Sequence, residues 1–545
     1  MTSQGGGLMR WLAEEATKTL QDALELQDKP EPEEAPFQHK YEARKLLVLL
    51  QAQLAMQPSD TGDADVDAEQ IKSESLARIL FQLGVNHSES EETSEGQKLL
   101  DRAREIIADD VDANLQPRRV ALAIAIHNHL GIVWAGLGEV EQAMNHLQQA
   151  DRLYRTFVAD HDPATAWLHT EFVDRCSGEE RRKGLETAHT LTSFYLAQAY
   201  GNLGQRPKMA EYIQRTLQRQ LEFDAYQPLE WAVHAAALSQ YFMTEAMWQA
   251  ARHCLACASF MRVADVERSG PLAPMDMASG EEEERQRQHA SISMCWVKYF
   301  LNLLDEGKRQ ATEEASIKEV ASQDFVRFDL DVLPYEDDTP VRPPTDYETA
   351  KHCYIHGTRH LNEALKFYTL QDHATDHVAC LQDNSAFFRH LADYTPDPDI
   401  ASKMHKRRAD LLEAIAGQLN SQYFLAVCKQ LRFELGEIYM EMYNIKYQRL
   451  KDSGDPDPKA IAKVNRLIAL GRKNFITFIA KRPDLPYAAC FPRTYPPARI
   501  GMGRSSHVLT ADVNELIQFH EDSLMRYTYI VDYCNKHPVP NFEVR

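Results

Sequence analysis

Long apolar segments are missing from this 545-residue sequence. It contains no run of about 18 or more apolar residues, so we expect no transmembrane segment. Residues 1–26 also lack the basic and apolar regions of a secretory signal peptide. The nine cysteines, an odd number without regular spacing, disfavour a secreted disulfide scaffold. Together these absences predict a protein of the reducing cytoplasm.

Positive charge is comparatively scarce. The 60 Lys and Arg residues face 81 Asp and Glu residues, giving a formal net charge of -21. Such a surface repels nucleic-acid phosphate and anionic lipid and attracts basic proteins, so we expect no nucleic-acid partner. The 23 glycines and 25 prolines are too few for a collagen-like or disordered chain. A hydrophobic content of 44% suffices for a large core.

Alternating strand patterns are absent too, and helical periodicity takes their place. Residues 118–134, 185–200 and 422–443 place apolar side chains at three- and four-residue spacings. We find no convincing segment in which apolar and polar residues alternate between turn signals. The sequence therefore predicts an all-α fold.

One helix-pair pattern recurs along the first half of the chain. Gly131 is followed by Ala143 and Ala150, the spacing at which tetratricopeptide repeats place small residues where two helices approach closely. The same pattern begins again at Leu83, at Leu196 in a weaker copy, and at Leu238, with irregular intervals between the copies. We therefore predict an irregular α-solenoid of antiparallel helix pairs with about four tetratricopeptide-like repeats.

The second half keeps helical patterning but loses this clean template. Breakers and acidic residues in between predict three regions: an N-terminal lobe at 1–262, an acidic loop and linker-helix region at 263–344, and a C-terminal lobe at 345–545. A helix is expected at about 282–304. Later helices are predicted at 347–368, 376–394, 398–416, 422–449, 458–481 and 511–537.

Few residues form a pattern that carries chemistry. Cys254 and Cys257 form a CxxC pair without a second pair, which favours buried packing over a zinc site. His352, His356 and His360 share one helix face and could bind a metal, although an exposed polar stripe is the alternative. No catalytic arrangement can be singled out. We therefore expect neither enzyme activity nor a cofactor.

First helices of such repeats line a concave face, which predicts the partner-binding positions. Phe81 and Val85 stand where tetratricopeptide clamps for acidic tails place Lys and Asn, which favours a larger partner of neutral or basic character. The candidate groove residues are Phe81, Asn128, Phe194, Gln198, Asn202, Gln240, Met243 and Thr244.

Longer stretches of the sequence resemble the kinesin-binding protein family. The segments at 37–47, 81–89, 217–258, 376–388, 403–408 and 530–538 carry this resemblance. It implies a two-lobed α-solenoid that binds the motor domains of a subset of kinesins and keeps those motors from engaging microtubules. The chain would then be a cytoplasmic, cytoskeleton-associated binding protein, monomeric when free. Because microtubules are acidic, the motor face that binds them is basic, which suits an acidic competitor.

The family also contacts the motor through a loop of the C-terminal lobe, which corresponds here to residues 369–375. This loop differs in part from the family pattern, so the sequence does not name the kinesins. Family members carry a further helical tail, so we expect the last helix pair here to be trimmed. A general tetratricopeptide adaptor for peptide tails and a metal-dependent enzyme at the three histidines stay open as alternatives. The implied loop contacts are Leu370, Gln371, Asp372, His373 and Thr375.

Overall fold

The structure, a computed structural model, is helical throughout the parts of the chain that it describes. These parts are residues 5–32, 34–57, 66–107, 115–273, 280–312, 325–452 and 457–480. Within them the chain forms helices joined by turns and no strand, which confirms the predicted all-α class. None of these helices combines the length and the apolar character that a membrane crossing needs.

The first of two compact units contains residues 1–241 and the short segment 326–330. Its N-terminal helix continues through a π-helical stretch, Leu12–Ala16, into the next helix. Its helices are α1 (Gly5–Trp11), α2 (Thr17–Gln27), α3 (Gln38–Met56), α4 (Val66–Glu89), α5 (Thr93–Ile107), α6 (Val120–Gly136), α7 (Val140–Asp160), α8 (Gly178–Asn202), α9 (Arg206–Glu222) and most of α10 (Pro228–Thr244).

The second unit contains residues 242–325 and 331–545. Five of the predicted helices begin and end within three residues of their predicted bounds, whereas the helix predicted at 282–304 extends to Thr312. The predicted helix at 511–537 lies outside the described residues. The helices of this unit are α11 (Trp248–Ser269), α12 (Gly280–Thr312), α13 (Leu333–Glu336), α14 (Tyr347–Phe367), α15 (Ala374–Tyr394), α16 (Pro398–Gln418), α17 (Leu425–Asp452) and α18 (Pro458–Ala480).

The compact units divide after Tyr241, whereas the sequence suggested boundaries at residues 262 and 344. The linker helix of that suggestion is α12, which packs along α14 within the second unit. The predicted lobe boundaries at 262 and 344 therefore divide the chain differently from the two compact units. They stay predictions.

Consecutive helices pack as pairs, and glycines permit their close approach. A Cβ atom on Gly131 would lie 2.7 Å from Leu147 Cγ of the paired helix. Gly84 in α4 faces Leu100 of α5 in the same way. In the second unit, a Cβ on Gly436 would lie 2.6 Å from the ring of Phe475. These contacts confirm the predicted helix pairing, while the number of repeats stays a prediction.

Helix α6 lies at the centre of the first unit. Every residue of its first two turns, from Val120 to Ile126, is buried. A helix that is apolar on all sides must be covered on all sides by neighbouring helices. The side chains in the first two turns of α6 therefore pack within the unit and do not face an open groove.

Candidate partner-binding surface

The loop before α15 in the second unit is held by its own hydrogen bonds. Thr369 Oγ1 donates to Asp372 Oδ2 at 2.7 Å, and the His373 backbone N–H donates to the Thr369 carbonyl at 3.0 Å. The His373 ring stacks on Phe367 with ring centroids 4.4 Å apart. Leu370 packs against the apolar core of the second unit. The loop is thus anchored from within.

Three of the five loop residues remain exposed for contact: Gln371, Asp372 and Thr375. Helix α15 begins at Ala374, two residues before its predicted start, so Thr375 lies in the first helical turn rather than in the loop. Leu370 and His373 hold the loop in place, so their main role is structural.

Thr375 also lines the rim of a groove in the second unit. The groove has a volume of ≈ 680 Å³ and is lined by α12, α15 and α17. Each of these helices belongs to a different packed pair, α12 with α14, α15 with α16 and α17 with α18. The groove is therefore formed by one helix from each of three successive pairs, which lie side by side in the second unit. The sequence did not predict this groove, because the helix-pair pattern is lost in the second half of the chain.

The groove has mixed charge, and two of its cations, Lys298 and Arg408, form ion pairs with neighbouring carboxylates. Lys298 Nζ lies 2.7 Å from Asp383 Oδ1. The Arg408 guanidinium pairs with Glu441, whose carboxylate also lies 3.0 Å from His405 Nδ1. Burial alone raises the pKa of Glu441, but the hydrogen bond to His405 and the charge of Arg408 outweigh it and lower the pKa to about 2. Glu441 therefore stays ionised beside its partners.

The predicted groove positions in the first unit fall into two groups, and the first of them is buried. The Phe81 side chain is 2% exposed, and its ring packs edge-on against His129 and His169. Asn128 is 1% exposed, donates from Nδ2 to the Ala188 carbonyl and accepts from Thr192 Oγ1. Later parts of the first unit cover both side chains, which the sequence did not predict, and their contact with a partner stays a prediction.

The second group forms a more open stripe on α8. Gln198 and Asn202 are exposed and lie one helical turn apart, and Phe194 is half-buried one turn before them. The Phe194 ring packs against Tyr195 and lies 5.9 Å from the ring of His234. This stripe, Phe194-Gln198-Asn202, is the surface in the first unit that matches the prediction. Gln240 on α10 is half-buried.

The last two predicted groove residues belong to the second unit and differ in exposure. Met243 is 5% exposed, with its sulfur 3.7 Å from Asn302 Nδ2, and its contact with a partner stays a prediction. Thr244, the last residue of α10, is exposed, and both residues line a cavity of ≈ 870 Å³ that shares Asn302, Asp305 and Arg389 with the groove. Thr244 is the more exposed residue of the pair.

The paired cysteines of α11 are buried, as their packing interpretation requires. Cys254 and Cys257 are 2% and 0% exposed, and both are free thiols. Cys257 Sγ lies 3.5 Å from Nε2 of His253, whose Nδ1 lies 2.7 Å from Glu336 Oε1. Burial raises the pKa of the Cys254 thiol. These groups hold α11 and α13 together inside the core.

The three histidines of α14 do not act as one set. His360 is largely buried, and its ring stacks on Trp296 with centroids 5.3 Å apart. Burial lowers its pKa to about 3. His352 and His356 instead lie beside each other, with their Nε2 atoms 3.2 Å apart. The interpretation of all three as one polar stripe or one metal site was wrong at His360, which is a packing residue.

Comparison with known proteins supplies the family of the chain. The family model described as KIF-1 binding protein C terminal matches residues 229–541, which is more than half of the chain. The chain belongs to the KIF-binding protein family. The KIF-binding protein of Danio rerio is 31% identical over 96% of this chain and 92% of its own length.

Further KIF-binding proteins agree over similar lengths. That of Gallus gallus is 32% identical, covering 99% of this chain and 94% of its own. That of Homo sapiens is 31% identical, covering 93% and 90%. Among solved structures, BtubC (BKLC) from P. vanneervenii matches 50% of this chain and 97% of its own at 13% identity and a TM-score of 0.29, too slight a likeness to support an argument.

Proposed function

We propose that this chain binds the motor domains of a subset of kinesins and keeps those motors from attaching to microtubules. The observation that carries the proposal is the match to proteins named KIF-binding protein over nearly the whole chain. The proposal assigns the chain to the cytoplasm and cytoskeleton. In this proposal the chain acts by binding to the motor and not by catalysis. The free chain is a monomer.

Two surfaces are the proposed contact sites, one in each unit. In the first unit it is the exposed stripe Phe194-Gln198-Asn202. In the second unit it is the loop at Gln371 and Asp372, together with the groove whose rim includes Thr375. The acidic chain, with a net charge of -21, complements a basic motor face.

The test is cosedimentation of a panel of kinesin motor domains with microtubules, with and without excess protein. We expect selected motors to move from the pellet to the supernatant as the protein is added, and to co-elute with it from a sizing column. If every motor pellets equally with and without the protein, the inhibitory proposal is overturned. Co-elution without loss from the pellet would keep the binding and remove the inhibition.

The adaptor for peptide tails is less well supported. Val85 and Phe81, at the positions where a carboxylate clamp has Lys and Asn, are both buried apolar residues. A buried apolar pair supplies no charge to bind a C-terminal carboxylate. Micromolar binding of short acidic peptides would favour the adaptor over motor inhibition.

A further inference from the structure

A cluster of metal-ligating side chains lies in the second unit, and none of its residues lines the groove described above. His352 and His356 are one turn apart on α14, and Asp338 approaches both from the segment that precedes this helix. His356 Nε2 lies 3.6 Å from Asp338 Oδ2, and His352 Nε2 lies 3.8 Å from Asp338 Oδ1. The two imidazole Nε2 atoms are 3.2 Å apart.

These separations match the first coordination shell of a small divalent ion. Zinc binds imidazole nitrogen and carboxylate oxygen at about 2.0–2.2 Å, which puts tetrahedral ligand atoms about 3.3 Å from one another. The Nε2–Nε2 separation of 3.2 Å is close to that value. Asp338 approaches the two imidazoles through different carboxylate oxygens, at 3.6 and 3.8 Å, so a small rotation of the carboxylate brings it into the coordination shell of the ion. Two imidazoles and one carboxylate also form a donor set of the kind that zinc takes up, with a fourth position left for water.

The backbone around Asp338 is fixed by contacts on both sides. Arg252 Nη1 donates to the carbonyls of Glu336 and Thr339, at 3.0 and 3.1 Å. The Thr339 N–H donates back to the Glu336 carbonyl, and Tyr299 Oη donates to the Pro340 carbonyl. Such support holds a ligand where a metal needs it and lowers the cost of ordering the site on binding.

We propose that Asp338, His352 and His356 form a binding site for a zinc-like divalent transition-metal ion. The ion joins the segment before α14 to the helix itself, within the second unit. The cluster draws its ligands from two elements, whereas the spacing of His352, His356 and His360 on one helix suggested a set of three histidines. The aspartate replaces His360, which packs on Trp296.

The test is isothermal titration of the full-length chain, prepared without a polyhistidine tag, with zinc chloride and separately with magnesium chloride. We expect one zinc ion per chain at this site and no magnesium binding, because magnesium prefers all-oxygen ligand sets. Asp338→Asn and His352→Gln should each weaken zinc binding by about tenfold or more. Cobalt should give the visible absorption of a tetrahedral site in the wild type and lose it in both variants.

The matched control is Asp337→Asn, which removes the same charge from the neighbouring exposed residue outside the cluster. It should bind zinc as the wild type does, and circular dichroism should show that all three variants fold. Wild-type protein without stoichiometric zinc would overturn the proposal and leave a histidine–histidine hydrogen bond. Equal zinc binding by Asp338→Asn and the wild type would overturn it too, by placing the ion elsewhere.

Discussion

Lys298 on α12 and Asp383 on α15 form an ion pair in which the Lys298 ammonium contacts both carboxylate oxygens, at 2.7 and 2.8 Å. The Asp383 side chain is only 7% exposed, whereas that of Lys298 is 33% exposed. The pair therefore joins two helices that line the groove of the second unit. Its removal takes a positive charge away from a nearly buried carboxylate.

Replacing Lys298 with methionine should lower the free energy of unfolding by about 1–3 kcal/mol, less than for a fully buried pair because the lysine is partly solvated. Chemical denaturation followed by circular dichroism measures the change. The matched control is Lys351→Met, which breaks the exposed pair with Glu348 and should cost about 0–0.5 kcal/mol. Equal losses in both variants would contradict the role assigned to Asp383 burial.

Gly131→Ala tests the close approach of α6 and α7. The added methyl group would meet Leu147 at 2.7 Å, and relieving that overlap should cost about 1–3 kcal/mol of stability. Gly136→Ala makes the same change on the same helix, where nothing lies within 4 Å. It should leave the stability unchanged or raise it by up to about 0.5 kcal/mol. Thermal and chemical denaturation should therefore show a loss of stability for Gly131→Ala, and no change or a small gain for Gly136→Ala.

His390 predicts how the stability of the protein depends on pH. Its side chain is 3% exposed, and burial together with the charges of Arg389, Lys308 and Arg408 lowers its pKa to about 3. An unfolded histidine titrates near 6.5, so between about pH 6.5 and 3 the unfolded chain binds more protons. Stability contributed by neutral His390 is therefore complete above about pH 6.5 and is lost as the pH falls towards 3.

The measurement is the free energy of unfolding between pH 7 and pH 4.5 for the wild type and His390→Gln. The variant should lose less stability per pH unit, with a difference of up to about 1.4 kcal/mol per unit at the acidic end. Parallel curves for the two proteins would show that His390 accepts its proton in the folded state as well.

Gln371→Arg tests the loop of the second unit as a motor contact. The side chain is exposed, so the change should leave the fold intact while placing positive charge against a basic motor face. We expect about tenfold weaker binding to a motor that the wild type binds. Gln418→Arg makes the same substitution at an exposed position at the end of α16 and should bind normally. Equal binding by all three proteins would remove the loop from the proposed surface.

Salt tests the electrostatic part of the proposed function. Raising sodium chloride from 50 to 200 mM shortens the screening length around the acidic chain, so encounter with a basic motor should slow. The association rate constant should fall several-fold while the dissociation rate constant changes little. Surface-based kinetics with an immobilised motor domain measures both. A salt effect confined to dissociation would contradict long-range steering.

The sequence predicted helices and their pairing well, because both are set by nearby residues. Small residues such as Gly131 mark where paired helices approach, and the distances to Leu147 confirm that. Most predicted helix bounds in the second unit agreed within three residues, since start and stop signals are local, although the helix predicted at 282–304 extends to Thr312.

The surface was predicted less well, because exposure depends on the next pair and not on the position within one pair. Phe81 and Asn128 occupy groove positions of their own repeats but are covered by later parts of the first unit. Asp338 was not linked to His352 and His356, because it lies outside the helix and meets them only through the fold. Local periodicity carries no information about such contacts.

The short segment 326–330 belongs to the first unit although the residues on both sides of it belong to the second. Its Phe328 ring packs edge-on against Trp231, and Gln214 Nε2 donates to the Val326 carbonyl at 2.6 Å. The first unit therefore cannot complete its own core during synthesis until residue 330 has left the ribosome, well after residue 241 has emerged. A fragment that ends at residue 241 would leave Trp231 without this cover, so the first unit has to be studied with residues 326–330 present.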